Sequence, residues 1–336
     1  MTVQRVELHT HLEGSVTPER LIGLARKYGQ PGLPLACLTA DGTGFAFDGF
    51  RGFLDLYKHA TSVMREPSDF HALALDLGGQ LAADEVAYAE VSVSYAVLLV
   101  RGIDPLPVQT ALHEAALEVA ETSGVQMRWL PDAVRQFEEK WAWRAWEKAA
   151  QAGRKLGVVG LGLGGDETNG PARRYARLFA EVKAEGFGVS IHAGELPAMG
   201  PAALASVREA VEECGADRIG HGLAAAGDPL LLATLAARNV FVELCPGSNL
   251  LTGGVKAWRD FPLAAFMEAG VPCALNTDDR TMFGLTLRGE YARAAAELGL
   301  TPALEAAQQA AAARAAFEPA ISSGPAAPAG ARSPAG

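Results

Sequence analysis

The chain is poor in the residues and runs that mark several protein classes. Its four cysteines, Cys37, Cys214, Cys245 and Cys273, are scattered and never form a CxxC pair. That argues against a disulfide framework and against a thiolate metal site, and it suits a reducing compartment. No uncharged run reaches the roughly 20 apolar residues that a membrane span needs. No basic segment leads into an apolar stretch near Met1, so no signal peptide is read and a cytoplasmic location is expected. Positive charge is not in excess either: 29 Lys and Arg against 39 Asp and Glu give a formal net charge of −10. Surfaces that neutralise nucleic-acid phosphates are usually basic, so nucleic acid is not expected as a partner. A free base or a nucleoside presents no phosphate and stays open as a substrate.

What the chain does have is eight short apolar runs, near residues 3–9, 86–94, 125–130, 157–163, 187–192, 217–220, 239–245 and 271–276. Most are rich in Val, Ile and Leu and lack the polar alternation of a half-exposed sheet. Parallel strands covered on both faces read this way. Segments of helical periodicity lie between them, at 106–121, 139–155, 172–185, 202–213 and 228–237. Alternating strand and helix predicts parallel βαβ units, and eight strands favour closure into an α/β fold of the (β/α)8, or TIM-barrel, type. One such domain, 1–317, accounts for most of the 336 residues. The long gap after the first strand, 12–85, is expected to hold helices at 17–28, 50–63 and 68–84 around a Gly/Pro-rich loop, and it is a candidate lid. An Ala-rich helix at 302–317 leads into a Pro/Ala/Gly/Ser-rich stretch, 318–336, expected to be disordered.

Five of the eight runs end in groups that bind metals or move protons. The endings are His9-Thr10-His11, His192-Ala193-Gly194-Glu195, Gly220-His221-Gly222, Cys245-Pro246-Gly247-Ser248-Asn249 and Asn276-Thr277-Asp278-Asp279. Barrel active sites are assembled at the carboxyl ends of strands. His9 and His11, two apart on a strand, share a face and make a natural ligand pair; alone, they also fit a hydrogen-bonded pair at the barrel mouth. His192 with one of the two aspartates completes three neutral nitrogens and a carboxylate, a set suited to zinc. By themselves Asp278 and Asp279 would read as a turn with a helix cap. Glu195 and His221 remain as candidates for proton transfer, although a histidine between two glycines also fits a tight turn. The Gly-rich end of strand four, Gly160 to Gly165, would let a flat ligand approach the backbone. It lacks the Lys-Ser/Thr ending of a phosphate loop.

Together HTHLEG, HAGE, RIGHG, CPGSN and NTDD, in that order, resemble the adenosine deaminase family of the amidohydrolase superfamily over about residues 6–317. The resemblance implies one zinc ion per chain, held by His9, His11, His192 and Asp278, and hydrolytic loss of the 6-amino group of an adenine ring as ammonia. It implies that Glu195 protonates ring N1, that His221 and Asp279 orient the attacking hydroxide, and that Gly165 offers its N–H to N3. His11, Glu13, Gly165 and Asp279 would then meet the substrate, a purine nucleoside. Family members specific for adenosine usually carry Asp at the position of Glu13, facing the sugar. Glu is more typical of relatives acting on free adenine or on 6-aminodeoxyfutalosine, a menaquinone precursor.

The LGLGGDE around Gly165 and the stretch MFGLTLRGEY at 282–291 are also similar to the aminodeoxyfutalosine branch. That compound is therefore expected ahead of adenosine, with adenine third. Two departures, Arg280 after the Asp pair and Tyr95 at the end of strand two, are expected at the barrel mouth. Zinc deaminases that act on bases in nucleic acid carry an H-x-E…P-C-x-x-C signature, which is missing here. A binuclear amidohydrolase acting on cyclic amides would need a strand-four lysine, and Val158 to Gly165 contains none. A non-catalytic binding barrel would have lost at least one of the seven metal and proton-transfer positions, and all seven are filled.

Overall fold

A computed structural model describes residues 5–318. Eight parallel strands follow one another around a single sheet: β1 Arg5–His11, β2 Val86–Val93, β3 Gln126–Val134, β4 Gly160–Gly164, β5 Gly188–Ala193, β6 Arg218–His221, β7 Phe241–Leu244 and β8 Cys273–Leu275. Nearly every strand residue is buried, as continuous apolar runs require of strands sandwiched between a barrel interior and a ring of helices. The expected eight runs are these eight strands, displaced by a few residues at their ends.

The seam between β8 and β1 positions the chemistry. Asp278 N–H donates to His9 O (2.9 Å) and His11 N–H donates to Asp278 O (3.2 Å), forming a parallel bridge at Thr10. Lower on the seam, Leu8 N–H donates to Asn276 Oδ1 (3.0 Å). These bonds close the (β/α)8 barrel. They also thread Asp278 between His9 and His11, so barrel closure and the meeting of three candidate ligands are one event. A register shift in β1 between Glu7 and Thr10 accompanies this. There Glu7 accepts from Thr277 N–H (2.9 Å) while His9 reaches Glu243 (2.7 Å).

The helices are α1 Pro18–Lys27, α2 Leu33–Cys37, α3 Gly49–Thr61, α4 Pro67–Ala83, α5 Tyr95–Val100, α6 Pro105–Ser123, α7 Glu139–Ala152, α8 Ala176–Ala184, α9 Pro201–Arg208, α10 Pro229–Ala237, α11 Pro246–Thr252, α12 Leu263–Glu268, α13 Leu287–Leu298 and α14 Pro302–Ala315. The start of α1 follows from its sequence: Thr17 Oγ1 accepts from Arg20 N–H (3.1 Å) and Pro18 takes the first helical position. The segment after β1 holds α1 to α4, including the short α2 inside the expected loop. Its last helix, α4, packs against α6 as an ordinary member of the outer ring. Only the part before it is an insertion.

α14 covers the barrel floor, where Gln309 Oε1 accepts from Val6 N–H (2.6 Å). Phe317 follows, its ring 3.7 Å beneath the Arg218 guanidinium. Glu318, the first residue of the expected disordered tail, is instead held by Arg128 Nε at 2.7 Å. The remainder of that tail, 319–336, lies outside the described residues. All four cysteines are buried and free. Among the described residues no helix is long and apolar enough to cross a membrane.

Candidate active site

At the mouth of the barrel the strand ends converge as the sequence implies. His11 Nε2 lies 3.3 Å from His192 Nε2 and 3.2 Å from Asp278 Oδ1, and His9 Nε2 lies 3.5 Å from the same oxygen. An ion with ligands at about 2.0–2.1 Å in a tetrahedron separates those ligands by roughly 3.3–3.4 Å. The three spacings match such edges, and each of them is compatible with a shared ion of zinc's size. His9 Nε2 is buried without a hydrogen-bond partner, which a metal would supply. Two overlapping groups of donors are present: His9, His192, His221 and Asp278, and His11, Asp278 and Asp279, each with its ligand atoms within 4.8 Å. Asp278 belongs to both.

The imidazoles are oriented from behind. His9 Nδ1–H donates to Glu243 Oε2 (2.7 Å) and His192 Nδ1–H donates to Leu163 O (3.1 Å), which leaves each Nε2 lone pair for a cation. Ser248 Oγ–H donates to Asp278 Oδ2 (2.6 Å). Two glycines make room: a Cβ on Gly220 would sit 2.7 Å from His9 Cε1, and one on Gly14 would overlap the Asp279 carboxylate at 1.8 Å. His221 and Asp278 both take φ of 64°, a left-handed backbone that neither side chain favours and that the surrounding bonds enforce.

Charge in the cluster is strongly negative. Burial opposes protonation of His9 and His11, yet Asp278 with Glu243 outweighs it at His9, and Asp279 with Asp278 outweighs it at His11. His9 is held well above the ordinary range and His11 is raised to about 9. Without a metal, the site gathers protons instead. Burial, then Asp278 and Glu167, drive the Glu195 carboxyl well above its usual range, which favours its protonated form. Burial, then Asp278, do the same to Asp279. Burial lowers His221 to about 4. Its Nε2 stands 3.9 Å from both Glu195 Oε2 and Asp278 Oδ2, while Asn249 Nδ2–H donates to its Nδ1 (3.1 Å). Glu167 fixes the turn before this acid by accepting the main-chain N–H of Gly194 and of Glu195.

A cavity of about 650 Å³ opens above the cluster. His11, His192, Glu195, His221, Asp278 and Asp279 contribute to its lining, as does Gly165 on the β4 side. Glu13 lies behind it. Its carboxylate accepts from Ser94 N–H (2.9 Å) and from Tyr57 Oη–H (3.2 Å), and those two residues face the cavity in its place. The two expected departures do not line it. Tyr95 is fully buried at the start of α5, where its hydroxyl donates to Gln109 Oε1 (2.6 Å). Arg280 is buried against Asp84 (2.7 Å) and faces Glu7 (4.0 Å). Both are packing residues, because each polar end is spent on a buried partner behind the mouth.

Several participants escape a reading of strand ends. Asp132 on β3 lies 3.8 Å from His11 Nδ1 and is raised to about 7, mainly by burial. Glu243 on β7 is a second example, while Ser248 and Asn249 belong to a strand-end motif whose individual roles the sequence left open. A lone carboxylate inside an apolar run, as in WLPDAV or FVEL, is the signal that could have found the first two. The wall from α3 and α5, with Tyr57, Ser94 and Arg101, has no comparable signal.

Comparison with known proteins agrees with this geometry. The family model described as adenosine deaminase matches residues 4–323. An aminodeoxyfutalosine deaminase of Acidothermus cellulolyticus is 35% identical over 306 residues, covering 90% of this chain and 85% of its own. An adenine deaminase of Mesorhizobium japonicum is 33% identical over 287 residues, covering 85% and 86%. Among solved structures, an amidohydrolase of Burkholderia ambifaria with bound Zn superposes with a TM-score of 0.80 at 22% identity, covering 94% and 86%. The protein is a hydrolase of C–N bonds in cyclic amidines, a deaminase of adenine- or adenosine-type substrates. With its barrel closed around the His/Asp cluster and all of its described residues inside the matched span, the chain belongs to the adenosine deaminase family.

Proposed function

We propose that the protein is a zinc-dependent aminohydrolase of 6-aminopurine nucleosides, with 6-aminodeoxyfutalosine favoured over adenosine and free adenine third. The observation that carries this is the chain of three short separations, 3.2 to 3.5 Å, that links His192, His11, Asp278 and His9 beneath the cavity. Those four residues would hold the ion, as the donor set suits zinc. When bound, zinc lowers the pKa of water toward neutrality and makes it a nucleophile.

The remaining work falls to this chain's own groups. Glu195, whose burial favours the protonated form, gives its proton to ring N1 and makes C6 electrophilic. His221 and Asp279 both line the cavity and orient the attacking water, and His221, whose low pKa leaves its ring unprotonated, takes up the water's proton and passes it to the departing amino group. Gly165 offers its main-chain N–H to ring N3. Water adds at C6, the C6–N bond breaks, and the amino group leaves as ammonia. The ranking of substrates is supported by the similarity to the Acidothermus enzyme and by Glu13. Because Glu13 holds Tyr57 and Ser94, Glu13→Asp shortens its reach and shifts both, changing the wall that meets the sugar.

The test is metal stripping and reloading, followed by ultraviolet spectra of the three compounds. One zinc per chain is expected, with activity lost on removal and restored on return. Glu195→Gln should keep its zinc and lose ~10²–10⁴ in kcat. In the wild type, activity should fall as pH rises through the raised pKa of Glu195, because the acid must carry its proton. Unchanged spectra for all three compounds would sink the reading, and two ions per chain would favour a binuclear amidohydrolase.

A further inference from the structure

The outer half of the cavity differs in chemistry from its floor. Phe50, Phe53, Leu54, Val97 and Phe137 give the lining an apolar and aromatic part, and it also includes two cations, Lys58 on α3 and Arg101 at the end of α5. Arg101 caps the end of α5, and its guanidinium donates to the carbonyls of Thr61 (2.6 Å) and Ser62 (2.9 Å) at the carboxyl end of α3. A helix carboxyl end attracts a cation and fixes the plane of the group without neutralising it. Arginine has five N–H donors, so most of the fork stays available after those two bonds. Neither Arg101 nor Lys58 forms an ion pair among the described residues, whereas Arg5, Arg20, Arg128, Arg218 and Arg280 all do. Of the five carboxylates in the lining, Asp132, Glu195, Asp278 and Asp279 belong to the strand-end cluster, and Asp55 on α3 is the one that accompanies the two cations.

We propose that Arg101, with Lys58 beside it, binds an anionic group, a phosphate or a carboxylate, carried on the sugar side of the 6-aminopurine substrate. The inference rests on the functional reading above only for its orientation: the amino end of the ring lies at the His/Asp cluster, so the opposite arm reaches the outer wall. Arg101 is a specificity residue with no part in breaking the C–N bond. A planar, bidentate donor of this kind discriminates oxyanions from neutral hydroxyls.

The experiment uses the full-length, zinc-loaded protein and three compounds sharing one ring. These are neutral adenosine, adenosine 5′-monophosphate, and 6-aminodeoxyfutalosine, whose carboxylate sits on an aromatic arm. kcat/KM is measured by ammonia release, and binding of the 6-oxo products inosine and inosine 5′-monophosphate and of futalosine by calorimetry. One anionic compound should exceed its neutral counterpart about tenfold or more in both assays, and which one it is separates phosphate from carboxylate. Arg101→Gln should lower that ratio about tenfold, chiefly through KM, and Arg101→Lys should restore part of it. Lys58→Gln, at an exposed side chain, should lower it less. In the wild type the preference should shrink with ionic strength, a readout that needs no variant.

A wild-type protein that treats all three compounds alike, or whose preference ignores salt, overturns the subsite and leaves deamination standing. So does an unchanged ratio in folded Arg101→Gln. Preferential binding of the anionic compounds without ammonia release supports the subsite and overturns the deaminase reading.

Discussion

At the floor of the barrel Arg218 lies between two fully buried carboxylates, Glu90 at 2.5 Å and Glu243 at 2.6 Å, with the Phe317 ring against its face. At the mouth, Glu195, Asp278, Asp279 and Asp132 are also buried, but no arginine or lysine pairs with any of them among the described residues. Both regions remove charge from water. The floor neutralises it within the fold, and the mouth leaves it to histidines, to protons and to whatever cation binds. The difference separates a structural ion cluster from a site: where compensation is missing, burial has to be justified by chemistry. Glu243 belongs to both regions, since one oxygen meets Arg218 and the other His9.

The sharpest way to break that contrast is at the floor. Arg218→Met leaves Glu90 and Glu243 buried without their cation. Removing one partner of such a pair typically costs about 3–5 kcal/mol, because the survivor keeps its desolvation penalty. Equilibrium denaturation should register a loss of that size. A loss near 1 kcal/mol, the value of an exposed pair, would show that the floor is wetter than its burial implies.

Glu243→Gln tests the link between the two regions. The amide can still accept from His9 Nδ1–H, but it no longer raises the basicity of that ring. Carboxylates behind metal-bound histidines are typically worth about 10–100-fold in metal affinity. Chelator competition should show a drop in that range, with a smaller change in stability than Arg218→Met. If zinc affinity is unchanged, Glu243 serves the floor alone.

The contrast also shows what could be read from the chain before folding. The mouth was legible because strand ends collect polar groups in short, countable motifs: His9, His192, His221 and Asp278 each close an apolar run. The floor was not, because its partners are far apart in sequence. Arg218 meets Glu90 across 128 positions, and His9 meets Glu243 across 234. Tyr95 and Arg280 were placed at the mouth because each neighbours a strand end. In the fold, Tyr95 turns inward from the first turn of α5 and Arg280 turns back toward Asp84, directions that position in the sequence does not encode. The short helices α5, α11, α12 and α13 were missed for a related reason. They carry too few residues, or too mixed a face, for periodicity to rise above their tertiary contacts.

Glu290 sharpens the contrast from a third side, with the smallest expected effect. It is a buried carboxyl on α13 that accepts from Gly247 N–H (2.7 Å) and forms no ion pair among the described residues. It faces neither the floor cation nor the cavity. Burial foremost raises its pKa to about 8, against 4.5 for an ordinary glutamate. Between those values the native state holds a proton that the unfolded chain releases, so unfolding becomes easier as pH rises. The stabilisation is complete below pH ~4.5 and is lost as pH climbs through ~8. Glu290→Gln keeps an acceptor for Gly247 and removes the titration. Each pKa unit corresponds to about 1.4 kcal/mol, so the variant should match the wild type at pH ~4 and gain on the order of 2 kcal/mol over it by pH ~6, about one and a half units above the ordinary value. Denaturation midpoints of the two proteins that stay parallel across this window would mean that water reaches Glu290, and that an unpaired carboxyl outside the mouth is tolerated by solvation rather than by a proton.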